Sequence, residues 1–489
     1  MADSAPQSPA PPPELRAGTG RADITDYAAG PVNDPLFAKA LVLDDGAAPI
    51  ALVSIDAVAV AEIGRVQNDF VPRVRARLRK EFGIEPSHLV LAASHCHGVV
   101  RPDIVDPVVH AVAEAWKTRT PAVLGAGAGY EDRIMENRRL RLRDGSEADV
   151  RRAYSLPPDS AVAGVGPVDP EIGILRVDRT DGRPLAVVFN FACHPIQGVP
   201  SGANTADISG FAAQTIEDAL GNGAAALFLQ GCAGDINPVF YDDAARPRDA
   251  VPLGTMLGAS ALKAWAGIQT RPGARIRVQQ ETLRLPRADL GPVIAAKNAE
   301  QKKLLEQIRP VSLDLKAFLQ LTAKYALSPE FPSAASFHYR HERSRGRDAL
   351  ERLDARNRRE MEQYRRNLEI LEKLTRLRTN LELLQLHQAQ NQAAGGNELA
   401  IELQVLRLGN FILATFPGEL SVEIGLAVKH RAPHPLTFIA TCANGYIYYA
   451  PTARQLENRG NAQEDSDCLL APEWQARFEA KIQEMLAKP

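Results

Sequence analysis

Two histidines one residue apart, His95 and His97, follow the apolar run Leu89 to Ala92. In an extended chain, residues i and i+2 point to the same side and i+1 points away. Both imidazoles are therefore expected to face one pocket, with Cys96 turned to the core. An imidazole is a metal ligand when neutral and a proton carrier near pH 7. One histidine can bind a metal while the other moves protons or orients a substrate. Cys96 is a poor candidate nucleophile, because a catalytic thiol should point with its histidine.

Four further segments offer chemistry of the same kind. His194 ends the stretch VVFNFACHP, fixed between a buried apolar run and a proline, which makes a rigid mount for a ligand. Gly231 to Pro238 reads GCAGDINP, where Asp235 and Asn237 can hydrogen-bond or ligate. Phe416 to Glu419 reads FPGE and puts a carboxylate just past an apolar run. Asn444 to Thr452 reads NGYIYYAPT, with Tyr446, Tyr448 and Tyr449 close together. Taken singly, each has a plain explanation: a hydrogen-bonded histidine, an ordinary turn, packed tyrosines. Together, the five segments each bring a polar group to the end of an apolar run, and that convergence points to an active site.

The elements that must position these groups are legible as runs and periodicities. Phe37 to Leu43 and Ile50 to Ile55 flank Asp44-Asp45-Gly46, a hairpin signal. Leu89 to Ala92, Leu185 to Ala192 and Ala224 to Leu229 have the length of buried strands, and helical patterns over Val66 to Phe82 and Phe211 to Leu220 separate some of them. Strands interleaved with helices predict an α/β fold, a mixed-sheet core with flanking helices. Later, Leu403 to Leu408 and Phe411 to Phe416 bracket Gly409-Asn410 as a second hairpin. Leu436 to Ala440 reads as a strand and Pro472 to Leu486 as a terminal helix.

From about 290 to 395 the composition shifts to Leu, Glu, Lys, Arg and Gln, which predicts a long helical-hairpin insertion. Its clearest helix is Arg347 to Gln392. There Met361, Tyr364, Leu368, Leu371, Leu374, Leu377, Leu381 and Leu384 recur at spacings of three and four, and Gly395-Gly396 ends the pattern. A hairpin packed on the core is the expected arrangement. A partner-binding coiled coil and a substrate lid are the alternatives.

The 489 residues carry a net charge of −2, with 45% apolar and 24% charged residues, so no global field draws the chain to nucleic acid or an anionic surface. No stretch approaches the roughly 20 apolar residues of a membrane span. Met1 to Pro13 is rich in Pro, Ala and Ser, without the basic start and apolar core of a signal peptide. Residues 1–17 are expected to be a disordered lead-in and 18–489 a single catalytic domain. The exported mature start of a secreted or periplasmic protein and a cytoplasmic start both fit. The five cysteines are widely spaced and form no CxxC, so they make no thiolate zinc site. One bridge, Cys442 to Cys468, would fit an oxidising compartment.

In order, GRADIT (Gly20–Thr25), SHCH (Ser94–His97), Asn137-Arg138, NFACHP (Asn190–Pro195), GDINP (Gly234–Pro238), PGE (Pro417–Glu419) and NGYIYYAPT resemble the catalytic domain of the neutral/alkaline ceramidase family. The resemblance runs from about Gly18 to Leu470. It implies a Zn²⁺ held by His95, His194, Glu419 and Tyr449. It implies that His97 contacts substrate and shuttles protons. It also implies that Arg138, with Arg139 its neighbouring candidate, binds the substrate carbonyl. Asp235, Tyr446 and Tyr448 are the further substrate-binding candidates. The departures fall on the pocket wall: Asn237 stands where the family has an essential Ser, and Asn461 where it has a substrate-contacting Tyr. The family's C-terminal immunoglobulin-like domain has no counterpart in the chain.

The expected function is therefore zinc-dependent cleavage of an amide in an N-acyl compound other than ceramide, with a small-molecule or lipid-like acyl substrate and no nucleic acid partner. A hydrolase of an ester, lactone or carbohydrate derivative at the same metal is the second reading. A non-catalytic binding protein is the third.

Overall fold

The computed structural model describes residues 14–152, 155–328, 330 and 336–488. The expectation for residues 1–13 lies outside them. The first strand, β1 (Arg16–Asp23), begins two residues before the boundary expected from sequence, and Leu15 is already buried.

The larger sheet has eight strands. They are β1, β2 (Phe37–Asp44), β3 (Ile50–Ile55), β4 (Leu89–Ala93), β5 (Thr120–Tyr130), β6 (Glu171–Arg179), β7 (Pro184–Phe191) and β8 (Ala225–Gln230), in the order β8-β7-β6-β5-β1-β2-β3-β4. β3 runs parallel to β4 and β7 to β8, and the other neighbours are antiparallel, so the sheet is mixed. The Asp44-Asp45-Gly46 hairpin forms as its residues predict, with Leu43 opposite Ile50. A second, four-stranded sheet holds β9 (Ile276–Pro286), β10 (Glu398–Leu408), β11 (Phe411–Thr415) and β13 (Thr437–Ala440) in that order. Between β11 and β13 in the chain, β12 (Glu419–Leu420) pairs in parallel with β14 (Tyr449–Ala450).

The alternation along the strands explains the layers. Leu41, Leu43, Leu52, Val90, Leu175 and Val188 of the large sheet pack against Leu406, Leu408, Phe411, Leu413 and Phe438 of the small one. Ala40, Val42 and Val53 point the other way, onto α1 (Phe70–Phe82) and α2 (Val105–Lys117). Phe189 and Phe228 face α3 (Asp207–Leu220) and α4 (Ala250–Gly267). The outer face of the small sheet, with Leu403, Ile412 and Ala414, is covered by α10 (Trp474–Ala487), whose Trp474 and Phe478 pack on Phe416. The result is a helix–sheet–sheet–helix sandwich. A period of two lets each strand bury one set of side chains between the sheets and the other beneath helices.

The insertion grows out of a β-hairpin. β9 and β10 pair along their full length, from Ile276–Leu408 to Pro286–Glu398, and the described residues between them form four helices. These are α5 (Gly291–Gln307), α6 (Leu315–Leu327), α7 (Phe337–Ser344) and α8 (Ala349–Ala393). The first three pack along α8. The apolar stripe read from sequence is buried at Met361, Leu377, Leu381 and Leu384, but Leu368 and Leu371 stay exposed. The stretch around Leu368 and Leu371 therefore stands off the core while α8 docks on it from about Leu377 onward. Among the described residues no helix is long and apolar enough to cross a membrane.

Candidate metal centre

The five chemical segments converge because backbone hydrogen bonds stitch the strand ends together. At the end of β4, Ala93 N–H donates to Cys442 O (3.1 Å), and just past it His95 N–H donates to Ala57 O (3.0 Å). Past β7, His194 N–H donates to Ile236 O (3.1 Å); past β8, Gly234 N–H donates to Leu420 O (2.9 Å). Glu419 N–H donates to Tyr448 O (2.9 Å). Gly418 is required where the PGE turn meets the tyrosine segment, since a Cβ there would lie 2.7 Å from Tyr448 O. Gly234 is similarly confined, its Cβ position 3.0 Å from Glu419 O.

His95, His194 and Glu419 form a buried cluster whose ligand atoms all lie within 4.8 Å of one another. Glu419 Oε2 is 2.9 Å from His194 Nε2 and 3.3 Å from His95 Nε2. Three ligand atoms this close together could hold one metal ion. Each Nδ1 donates to a carbonyl, His95 to Val58 O (2.6 Å) and His194 to Ile236 O (2.9 Å), which leaves both Nε2 atoms facing the Glu419 carboxylate. Outer bonds of this kind fix the tautomer of metal-binding histidines.

Electrostatics favour a cation at this point. Burial alone would raise the Glu419 carboxyl, but His95 and then His194 outweigh it and hold it well below the usual range. Burial likewise opposes charge on His95, yet Glu419 and then Cys442 raise it well above an ordinary histidine. His194 is pushed down to about 4, first by burial and then by Arg138. The negative field that favours a proton on His95 also attracts a divalent ion.

The expected alignment of His95 and His97 along an extended strand needs correction. His95 has φ +67°, in the left-handed region, and β4 has already ended at Ala93. The functional consequence survives by another route: Cys96 is fully buried in the core, and the His97 ring stands edge-on to His95 at 5.5 Å. His97 is the solvent-accessible member of the pair, although protein surrounds it densely. That crowding first, and then the charges of His95 and His194, keeps its pKa well below the ordinary value, so the ring is neutral at pH 7. Beside it lies a recess of about 350 Å³ lined chiefly by Ala57, Val58, Ala59, Ile63, Val66 and Val99. A larger cleft of about 680 Å³ between Leu124–Ala128 and Ala264–Ala274 contains none of the candidate residues, and the chemistry favours the smaller recess.

The tyrosines divide their work. Tyr446 donates its hydroxyl to Glu419 Oε1. Tyr449 is the register partner of Glu419 across the β12–β14 ladder, and its hydroxyl accepts from Arg138 Nη2 (3.1 Å). Tyr448 accepts at its hydroxyl from Gln390 of α8 (2.9 Å). Arg138 is buried, with Nη1 donating to Asn237 Oδ1 (3.0 Å), Nη2 also to Gly234 O (2.6 Å), and Nε 2.6 Å from Glu464 Oε1. Asp235 is drawn into the framework: one oxygen accepts from Val422 N (2.8 Å), at the start of α9 (Val422–Arg431), and the other from Asn137 Nδ2 (3.3 Å). Asn461 meets Lys297 of α5 at 2.7 Å.

Sequence reasoning missed the charged layer behind the site. Glu464 is shared by Arg138, Arg139 and Arg151, and Arg139 also pairs with Glu147 and Asp465, all of these acids being buried. The acidic run Glu464-Asp465-Ser466-Asp467 was its one visible trace. The Cys442–Cys468 bridge does not form: all five cysteines are free and buried. Cys442 Sγ lies 3.7 Å from His95 Nδ1, while Cys468 Sγ accepts from Leu470 N and from Arg459.

The fold and site together define a two-sheet sandwich with a buried His–His–Glu group at its strand ends. Solved structures that share the fold include two ceramidases. One is the neutral ceramidase from Pseudomonas aeruginosa, with a TM-score of 0.60 and 16% identity over 97% of this chain and 74% of that one. The other is a ceramidase complexed with C2, with a TM-score of 0.60 and 15% identity over 97% of this chain and 75% of that one. The chain thus has a neutral ceramidase-like fold. No family model and no curated protein matches its sequence.

Proposed function

We propose that the protein is a zinc-dependent hydrolase that cleaves the amide bond of an N-acyl compound other than ceramide. The observation that carries this reading is the buried trio His95, His194 and Glu419, with both histidines locked through Nδ1 so that Nε2 faces the carboxylate. The donor set of two imidazoles and one carboxylate is that of a catalytic zinc site with room for further ligands. The hydroxyl of Tyr449 is the proposed fourth protein ligand, supported by its place opposite Glu419. Zinc, when bound, lowers the pKa of water from about 16 toward about 7 and polarises a carbonyl.

The chain's own residues supply the rest. His97, neutral and accessible, accepts a proton at a ring nitrogen and returns it to the leaving amine. Arg138 turns its donors inward, so its charge acts on the developing oxyanion through the Tyr449 hydroxyl. Asn237 gives its oxygen to Arg138, which leaves its amide nitrogen to donate to the substrate carbonyl. The apolar recess beside His97 suits a lipid-like acyl group.

The test uses matched panels of N-acyl and O-acyl substrates, with release of amine, alcohol and acid measured on the purified protein. Amide turnover that disappears on chelation is expected. Ester turnover with no amide turnover would replace this reading by an esterase at the same residues.

A further inference from the structure

We infer that the helical insertion is a positioning device for the site: the C-terminal half of α8, through His387, Gln390 and Arg376, fixes the tyrosine and arginine wall from behind. The inference rests on the proposed reaction for its kinetic consequence. Its structural content stands on the geometry alone.

Three connections run from α8 into the site. His387 is fully buried, with Nε2 2.6 Å from Asp467 Oδ1, Nδ1 2.8 Å from Gln390 Oε1, and its ring edge-on to Tyr448 at 4.6 Å. The carbonyl of the same Asp467 accepts from Tyr449 N–H (3.1 Å), so His387 holds the residue that anchors β14. Gln390 Nε2 donates to the Tyr448 hydroxyl, and the Tyr448 ring lies 5.5 Å from Tyr446, whose hydroxyl is on Glu419. Arg376 donates to Asp149 O (2.9 Å) and Oδ1 (2.5 Å); Asp149 pairs with Arg151 and Arg151 with Glu464, which pairs with Arg138. The first line ends on Tyr449, the second on Glu419 and the third on Arg138, which donates to the Tyr449 hydroxyl.

The segment that leads into the short helix Gln463–Ser466, which carries Glu464, is clamped by the same helices. Asn380 of α8 donates to Gly460 O (3.1 Å), and Lys297 of α5 donates to Asn461 Oδ1 (2.7 Å). A remote arm would need none of these bonds, and buried polar groups satisfied at both ends specify one arrangement of the parts they join. The exposure of Leu368 and Leu371 fits the same picture, since the connections to the site all leave α8 beyond them, from Arg376 onward.

The experiment compares the full-length protein with His387→Leu, the milder half-buried Gln390→Leu, and the conservative His387→Gln. Hydrogen exchange is followed in peptides covering 444–452 and 458–468 against reference peptides from β4 and β7. The expected result is about tenfold faster exchange confined to those two segments. On an N-acyl substrate, kcat should fall about tenfold with KM little changed, and His387→Gln should restore most of it. Unchanged exchange at 444–468 in both leucine variants would overturn the inference, as would a uniform rise across the reference peptides. If His387→Leu does not fold, Gln390→Leu decides on the same readings. Absence of hydrolysis in the parent protein would remove the reaction proposed above while exchange still decided this inference.

Discussion

Glu419 and Tyr449 lie opposite one another in a parallel ladder only two residues long, with Tyr448 O accepting the Glu419 N–H at 2.9 Å. This short pairing sets a carboxylate from one strand end beside a phenol from another, next to two histidines delivered by the larger sheet. Short ladders are weak by themselves, so this one depends on the turns around it.

The metal content is the first consequence. The purified protein should contain about one zinc per chain by elemental analysis. His194→Ala and Glu419→Ala should each lose it. Tyr449→Phe should weaken zinc retention against a chelator more than Tyr446→Phe, because Tyr446 is tied to the outer oxygen of Glu419.

His97 should separate from the ligand set. His97→Ala is expected to keep its zinc and lose about 10²- to 10⁴-fold in kcat on the best N-acyl substrate. Loss of the metal in this variant would mean that His97 belongs among the ligands.

Gly418→Ala tests the turn. The added Cβ would lie 2.7 Å from Tyr448 O, which cannot yield without moving the β14 segment. Zinc affinity should drop at least about tenfold, as when outer supports of a metal site are altered. The two sheets should keep their circular dichroism spectrum.

The buried ionic layer gives a pH dependence of definite sign. Burial would raise the Glu464 carboxyl, but Arg138, Arg151 and Arg139 hold it down to about 2. The stabilisation is therefore fully present above the ordinary value of 4.5 and is lost as the pH falls toward about 2. Glu464→Gln should cost about 3–5 kcal/mol near neutral pH, where it strands buried arginines. In urea unfolding the penalty should be smaller at about pH 3, where the parent has lost part of this term.

The recess beside His97 governs acyl length if the proposed reaction holds. Val99→Phe would fill part of its roughly 350 Å³. KM should rise more for long acyl chains than for short ones in a length series, with zinc unchanged. An equal effect on all lengths would place the acyl group elsewhere.

Much of the framework was legible because it is local. Continuous apolar runs marked β2, β3, β4, β7 and β8 to within a residue or two. The spacing of leucines marked α8, which runs from Ala349 to Ala393. His95, His194 and Glu419 were readable because each follows an apolar run that must be buried, which leaves its polar end at the rim of a sheet. α1 begins at Phe70, later than the pattern suggested, because Gln67 to Asp69 form the turn before it.

What the chain alone determined is which residues could do chemistry and which segments would carry them, since side-chain type and periodicity are properties of neighbours in sequence. The tertiary structure decided the rest. It gave His95 its left-handed backbone, assigned Tyr446 to Glu419 and Tyr449 to Arg138, drew Asp235 away to α9, and joined α8 to the back of the site. These relations connect residues far apart along the chain, such as Arg138 and Tyr449. Only the packing of two sheets with their loops brings such groups within bonding distance, and periodicity carries no record of that.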